Sequence, residues 1–322
     1  HNNHWGVPLS LARLPRGAAF GVFELGMNHA GEIRPLTHMV RPHVAIVTRI
    51  APVHLEFLGT IEAIADAKGE IFEGLEPGGT AVLPADDPQL ARLAGHARAA
   101  GAQVVTFGAA AAADWRLAGA EVGPDHSRIS VVRSGRTLDL VVGAPGRHWV
   151  MNALGLLAVV EALGADVATA AHGLAAIEAP AGRGARRTIA IAGGIATLLD
   201  ESYNANPASV GAALDLLGRL PGRRVAVLGD MLELGPEGPA LHRALADAVA
   251  AAQVDVVYTC GPLMAGLHEV LPAGRRGEHA VDSAALAPLI AAALAPGDVV
   301  LVKGSLGSRM QRVVDALLAG AP

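Results

Sequence analysis

Lysine is the rarest charged residue in this chain of 322 residues. Of its 25 basic side chains 23 are arginine, and only Lys68 and Lys303 are lysine. Asparagine is nearly as scarce, at Asn2, Asn3, Asn28, Asn152, Asn204 and Asn206. A chain rich in Ala, Gly and Arg is biased against Lys and Asn, so those that survive mark places where their chemistry is required. Lys68 lies i+7 from Ile61, i+4 from Ile64 and i−4 from Phe72, within an apolar stripe that also takes in Ile71 and Leu75. A lysine on such a stripe has a lowered pKa and a neutral amine available. That amine can act as a base, form a Schiff base, or take up CO₂ as a carbamate, which turns a cation into a carboxylate-like metal ligand. The plainer alternative is a lysine snorkelling from the edge of the stripe.

Other reactive types gather at expected strand ends. Glu24 closes the run Phe20-Gly21-Val22-Phe23-Glu24, where a carboxylate suits a hard cation such as Mg²⁺ or is simply solvated. His54 follows a second strand, in Pro52-Val53-His54-Leu55-Glu56, as a metal ligand or a structural loop histidine. Gly146-Arg147-His148-Trp149-Val150-Met151-Asn152 opens a helix with polar side chains able to face an adenine, or to cap the helix. Asp200-Glu201-Ser202-Tyr203-Asn204-Ala205-Asn206-Pro207 follows a strand and enters a helix at Pro207, with more asparagine than a cap requires. Lys303-Gly304-Ser305 puts the second lysine at a strand end before a helix N-terminus, a site for an anion or carboxylate.

The elements that must position these residues read as parallel α/β units, short β-branched runs alternating with alanine-rich amphipathic segments. Strands are expected over 18–25, 44–50, 81–83 and 103–107, with helices over 60–75 (capped by Thr60) and 88–100. Residues 114–142 change to short antiparallel strands with turns at Gly123-Pro124 and Ser134-Gly135. Helices follow at 149–163 and 167–177, and 179–184 is the best linker. Beyond it strands are expected at 188–192, 196–200, 224–228, 255–260 and 299–302, with helices at 207–220, 239–252, 283–294 and 305–318. Two α/β domains result, 1–181 and 182–322. The 52% hydrophobic content excludes disorder, while uncharged runs such as 189–199 and 286–297 are too short to span a bilayer. A net charge of −5 offers no basic footprint for nucleic acid, and a single cysteine excludes an internal disulfide or a multi-cysteine zinc site. No leader sequence opens the chain, so the expected compartment is the cytoplasm and the expected state a monomer; the missing initiator Met suggests a piece of a longer protein.

Taken in order, these motifs resemble the Mur ligases, and within them the branch that adds D-alanyl-D-alanine to UDP-N-acetylmuramoyl-tripeptide. The resemblance is carried by Asn2-Asn3-His4-Trp5-Gly6-Val7-Pro8, Glu24-Leu25-Gly26-Met27-Asn28, His54-Leu55-Glu56, Ala67-Lys68-Gly69-Glu70 and Gly146-Arg147-His148 with Asn152. It continues through the run from Asp200 to Pro207, Gly229-Asp230-Met231-Leu232-Glu233-Leu234-Gly235 and Lys303-Gly304-Ser305. It implies a central ATP-binding α/β domain followed by a Rossmann-like domain. It also implies ATP with Mg²⁺, acyl activation of the tripeptide, and attack by the dipeptide amine on an acyl phosphate. Glu24 and His54 would bind the Mg²⁺ and a carbamylated Lys68 would support it. His148 and Asn152 would face adenine, and Arg183 and Asp200 the rest of the nucleotide. Asn2, Asn3, Tyr203, Asn204, Asn206, Lys303 and Ser305 would contact the substrates.

Two departures matter. Trp149 stands where many members have Asn, and no G-x-x-x-x-G-K-[ST] phosphate loop occurs, because neither lysine follows a glycine. In the family that loop lies upstream of the Asn-Asn stretch, so the N-terminal domain and the phosphate loop are expected outside this chain, which alone would be inactive. The remaining alternatives are a related ligase for another amino acid, a non-catalytic fragment, and a dinucleotide-dependent oxidoreductase. The last is disfavoured because no G-x-G-x-x-G follows an expected strand.

Overall fold

A computed structural model describes residues 2–52, 55–123 and 125–320. The chain divides into two units, His1–Ile177 and Glu178–Pro322, so the expected linker opens the second unit.

The first unit begins with helices α1 (Gly6–Arg13) and α2 (Ile33–Val40), then strand β1 (Val44–Ile46), α3 (Leu55–Leu58) and α4 (Ile61–Gly69). There follow β2 (Thr80–Pro84), α5 (Leu90–Ala99), β3 (Gln103–Gly108), β4 (Trp115–Val122), β5 (Ser127–Arg133), β6 (Arg136–Val142), α6 (Arg147–Ala162) and α7 (Val167–Leu174). The sheet runs in sequence order, β1 to β6, parallel as far as β4 and antiparallel beyond. Ser134 and Gly135 both take positive φ, 49° and 74°, which matches the right-handed twist of a two-residue hairpin. One face of the sheet packs on α4 and α5 through Ile64, Phe72, Leu83 and Leu93. The other packs on α6 through Val82, Phe107, Leu154 and Leu157. The Thr60 hydroxyl accepts from Ala63 N–H at 3.1 Å and starts α4, as its sequence requires.

The expected strand over 18–25 is not one. Val22 is 96% exposed, and no described strand pairs with the segment. The β-branched and aromatic residues favour extended backbone, but a strand also needs a neighbour's ladder of hydrogen bonds. The strand expected over 44–50 is likewise cut to three residues.

The second unit holds β7 (Ala185–Ile191), β8 (Gly194–Glu201), α8 (Pro207–Gly218), β9 (Arg224–Gly229), α9 (Gly238–Ala251) and β10 (Val256–Cys260). It closes with α10 (Ala265–Val270), β11 (Arg276–Ala280), α11 (Ser283–Ala293), β12 (Val299–Lys303) and α12 (Gln311–Leu318). Its sheet order is β11-β10-β9-β12-β8-β7, parallel throughout except for the β7–β8 hairpin. Helices α8, α9 and α10 cover one face through Leu214, Leu245 and Leu267, while α11 and α12 cover the other through Leu286, Ile290 and Val314. The neighbours β9 and β12 therefore send their chains to opposite faces, and the crevice this opens at their C-terminal ends is where open α/β sheets bind ligands. Gly229 and Gly304 meet there, and a Cβ on Gly229 would lie 2.5 Å from Met310 Sδ.

The helix expected from 305 starts only at Gln311, after a 3-10 turn at Leu306–Ser308. Lys303 is thus not beside a helix N-terminus, so the expected helix-end contribution to an anion or carboxylate site there is corrected, and the lysine charge alone is left to supply it. Elements α10 and β11 went unread because one is six residues long and the other, Arg-Gly-Glu-His-Ala, carries no β-branched residue.

Candidate active site

In the first unit the structure brings Asn2, Glu24 and Lys68 into one neighbourhood. Asn2 Nδ2 donates to Glu24 Oε1 at 2.8 Å, and Gly26 N–H donates to the Asn2 carbonyl at 2.7 Å, which fixes the extended segment against the start of the chain. Lys68 sits in the last turn of α4, half-buried. Burial pushes its ammonium below the ordinary lysine value, and the nearby Glu24 carboxylate pulls the other way. The stripe assumed for Lys68 is only partly realised, since Ile64 and Phe72 are fully buried but Ile61 is 39% exposed. Lys68 therefore lies at the edge of the buried face, where desolvation disfavours its charged form. His54 lies outside the described residues.

No group of three His, Cys, Asp or Glu side chains poised to hold a metal occurs among the described residues. Mg²⁺ keeps several waters and takes one or two carboxylates. The exposed Glu24 carboxylate fits that role, and a carbamate on Lys68 would add a second oxygen source beside it. Asn3 is spent locally, its Oδ1 accepting from Trp5 and Gly6 N–H at 3.1 and 3.0 Å to start α1. Glu70, quoted in the motif but given no role, is 5% exposed and shapes the loop after Glu24 by accepting from Gly31 N–H at 2.6 Å and Arg34 N–H at 3.2 Å.

His148 and Asn152 stand one turn apart on the exposed side of α6. Gly146 begins the helix at φ +117° and places His148 in its first turn. The Trp149 ring lies 5.6 Å from that of His148 and packs against the core, with its Nε1 buried and unpartnered among the described residues.

In the second unit the motifs converge at the C-terminal ends of β8 and β12, although about 100 residues separate them. Asp200 is fully buried. Its carboxylate accepts from Gly182 N–H at 2.8 Å and from Ser202 N–H and Oγ at 3.2 and 2.6 Å. These bonds lay the loop of Gly182, Arg183 and Gly184 against Tyr203. Gly182 has φ +75°, and a Cβ there would sit 3.0 Å from Tyr203 Cβ, so only glycine fits. The Arg183 guanidinium then stacks over the exposed Tyr203 ring at 4.2 Å. Asp200, expected at the nucleotide, makes these bonds inside the fold and through Gly182 N–H holds the loop that carries Arg183.

Lys303 is 2% exposed and donates to Glu201 Oε2 at 3.2 Å and to the Asn204 carbonyl at 2.9 Å. Ser305 Oγ donates to the Ala205 carbonyl at 3.2 Å and accepts from Leu232 N–H at 2.9 Å, tying the loop after β8 to the loop after β9. Asn206 forms a capping box with Ser209, accepting its N–H at 2.9 Å, so its side chain belongs to α8. Asn204 is exposed, with Oδ1 on Ala205 N–H at 2.8 Å. Asp230 and His242 received no role from the sequence. Asp230 anchors Met264 N–H at 2.8 Å, and His242 Nε2 accepts Met231 N–H at 2.9 Å while Nδ1 faces the Gly238 carbonyl. Both shape the loop after β9, and Asp230 could have been read from Gly229-Asp230. Cys260 offers no nucleophile: it is buried against Met310 and its thiol is pushed up to about 12.

Residues 1–160 match the domain family described as Mur ligase middle domain, and residues 186–306 match Mur ligase, glutamate ligase domain. The UDP-N-acetylmuramoyl-tripeptide–D-alanyl-D-alanine ligase of Escherichia coli K12 is 37% identical over 319 residues, covering 98% of this chain and 69% of that protein. The Haemophilus influenzae protein of the same name is 32% identical, with 98% and 68% covered. Among solved structures, MurF from Acinetobacter baumannii superposes with a TM-score of 0.87 at 28% identity, covering 99% of this chain and 69% of that one. MurF ligase from Thermotoga maritima in complex with ADP gives 0.83 at 26%, covering 98% and 70%.

Proposed function

The chain belongs to the Mur ligase family, and from that premise we propose that it carries the nucleotide-binding and acceptor-binding machinery of a UDP-N-acetylmuramoyl-tripeptide–D-alanyl-D-alanine ligase of peptidoglycan precursor synthesis. In that reaction the terminal carboxylate of the tripeptide takes the γ-phosphoryl group of ATP, and the dipeptide amine then displaces phosphate from the acyl phosphate. The products are the pentapeptide precursor, ADP and phosphate. The observation that carries the reading is the convergence of Tyr203, Asn204 and Lys303 at adjacent strand ends, beside Arg183 and the Ser305 bridge.

Each group has a task. His148 and Asn152 take the base of ATP on the exposed face of α6. Arg183, stacked on Tyr203 and held by Asp200, offers a fixed cation to the nucleotide. Lys303 keeps a desolvated positive charge for the carboxylate of the acceptor, and Tyr203 and Asn204 border it. Glu24, the carbamate form of Lys68 and His54 would hold Mg²⁺, which when bound neutralises phosphate charge that would otherwise repel the tripeptide carboxylate. Asn2 orients Glu24. Asn3, Asn206 and Ser305 act by shaping the loops around the substrates. The reaction belongs to the cytoplasm, and no described helix is long and apolar enough to cross a membrane.

The test joins the full chain to the part of the E. coli relative that it does not span and follows ADP release. Release that requires both UDP-N-acetylmuramoyl-tripeptide and D-alanyl-D-alanine is expected. Release driven equally well by a single amino acid in place of the dipeptide overturns the acceptor assignment.

A further inference from the structure

Glu201 closes β8 in register with Lys303 of β12, and its Oε2 receives the Lys303 ammonium at 3.2 Å. The lysine side chain is 2% exposed and the glutamate 17%, so the cation is inside while the carboxylate reaches the surface of the crevice. Lys303 gives a second N–H to the Asn204 carbonyl. Its third N–H and Glu201 Oε1 have no hydrogen-bond partner among the described residues. A buried ion pair gains little stability over apolar packing because both charges are desolvated. This one presents one charge of each sign at the place where a zwitterionic dipeptide is to be held.

The chemistry of that acceptor asks for a base. An α-amino group has a pKa of about 8, so at neutral pH most of it is ammonium with no lone pair to attack an acyl phosphate. We propose that Glu201 receives the acceptor's ammonium and takes its proton, an inference that rests on the D-alanyl-D-alanine reading. The N–H proton passes to Glu201 Oε1, and the freed lone pair forms the N–C bond at the acyl carbon. The tetrahedral intermediate then expels phosphate with the electron pair of the C–O bond while the second N–H proton passes from the nitrogen to the departing phosphate, and Glu201 returns its own proton to water. Lys303, tethered by the other oxygen, faces the dipeptide carboxylate. Glu201 is then a catalytic residue, and a single side chain fixes both ends of the substrate.

Hydroxylamine separates base catalysis from scaffolding, because its nitrogen is unprotonated at neutral pH and it captures acyl phosphates as hydroxamates without a base. In the chimera, Glu201→Gln lowers D-alanyl-D-alanine ligation by about 100-fold. Hydroxamate formation from the tripeptide stays within about threefold, as expected if only deprotonation is lost. The residual ligation rises with pH toward the amine pKa of about 8. Glu201→Asp recovers at least about tenfold over Gln, because it restores a carboxylate. Unchanged ligation in Glu201→Gln overturns the proposal, and so does a parallel loss of both products, which would make Glu201 only a brace for Lys303. If the Gln variant does not fold, Glu201→Asp decides: ligation and hydroxamate falling together, with no change in the pH profile, also overturns it. A parent chimera that ignores D-alanyl-D-alanine fails the functional reading instead, which keeps the two outcomes apart.

Discussion

The two halves of the candidate machinery are built in opposite ways. In the first unit Glu24, His148 and Asn152 are exposed side chains projected from an extended segment and from the start of a helix. In the second unit Asp200, Lys303 and Ser305 are buried and each makes at least two hydrogen bonds to neighbouring loops. Exposed groups can be tuned for a ligand with little effect on folding. Buried charges hold the backbone in shape, so function and stability are coupled there.

That contrast breaks first at Lys303 if it is wrong. Lys303→Ala strands Glu201 in a crevice without its cation, and the second unit should lose about 3 kcal/mol. In the chimera the KM for D-alanyl-D-alanine should rise much more than that for ATP. Calorimetric unfolding of the variant measures the first effect, and an unchanged melting temperature would show the pair to be dispensable to the fold. Next comes Asp200→Ala, which leaves the buried Gly182 N–H unpaired at a cost of about 2 kcal/mol. It should also free Arg183 from Tyr203, weakening ADP binding by titration calorimetry; unaltered ADP affinity would remove Arg183 from the nucleotide site.

A smaller effect, of definite sign, is expected at Lys68. Its folded pKa lies below the ordinary value of 10.5, so above that lowered pKa the folded state binds fewer protons there than the unfolded chain. Stability from this group therefore grows as pH rises from the lowered pKa up to 10.5, and it is lost as pH falls. Lys68→Met should flatten that part of the stability–pH curve and leave the fold at neutral pH as stable or slightly more so. Turnover of the chimera should still collapse, and Lys68→Arg should not restore it, because Arg cannot form a carbamate. Wild-type turnover by Lys68→Arg would end the carbamate assignment. The smallest change in stability belongs to Glu24→Gln, within about 0.5 kcal/mol for an exposed side chain. Its Mg²⁺-dependent turnover should nonetheless drop, and a variant that mainly unfolds would place Glu24 among the structural residues.

Much of this organisation was legible in residue order alone. Thr60 before α4, Pro207 opening α8, the Ser134-Gly135 hairpin and the alternation of strands with alanine-rich helices follow from local rules. Capping, proline geometry and left-handed turns need only a few neighbouring residues. The rarity of lysine and asparagine also led to residues that the fold uses, at Lys68, Lys303, Asn2 and Asn204. What sequence could not supply was which polar side chain faces outward. Asp200 and Asn206 carry the same donors and acceptors as a ligand-binding residue, and only packing shows those groups spent on Gly182, Ser202 and Ser209. The strand expected at 18–25 failed for the same reason, since extended backbone is local but a hydrogen-bonded ladder belongs to two chains at once. Glu201 gained its importance from strand register, which set it beside a lysine 102 residues away. Composition and spacing determined the list of chemical groups and the elements that carry them, because both depend on neighbours in the chain. Burial and pairing were decided by the tertiary structure, because desolvation and hydrogen bonding depend on neighbours in space.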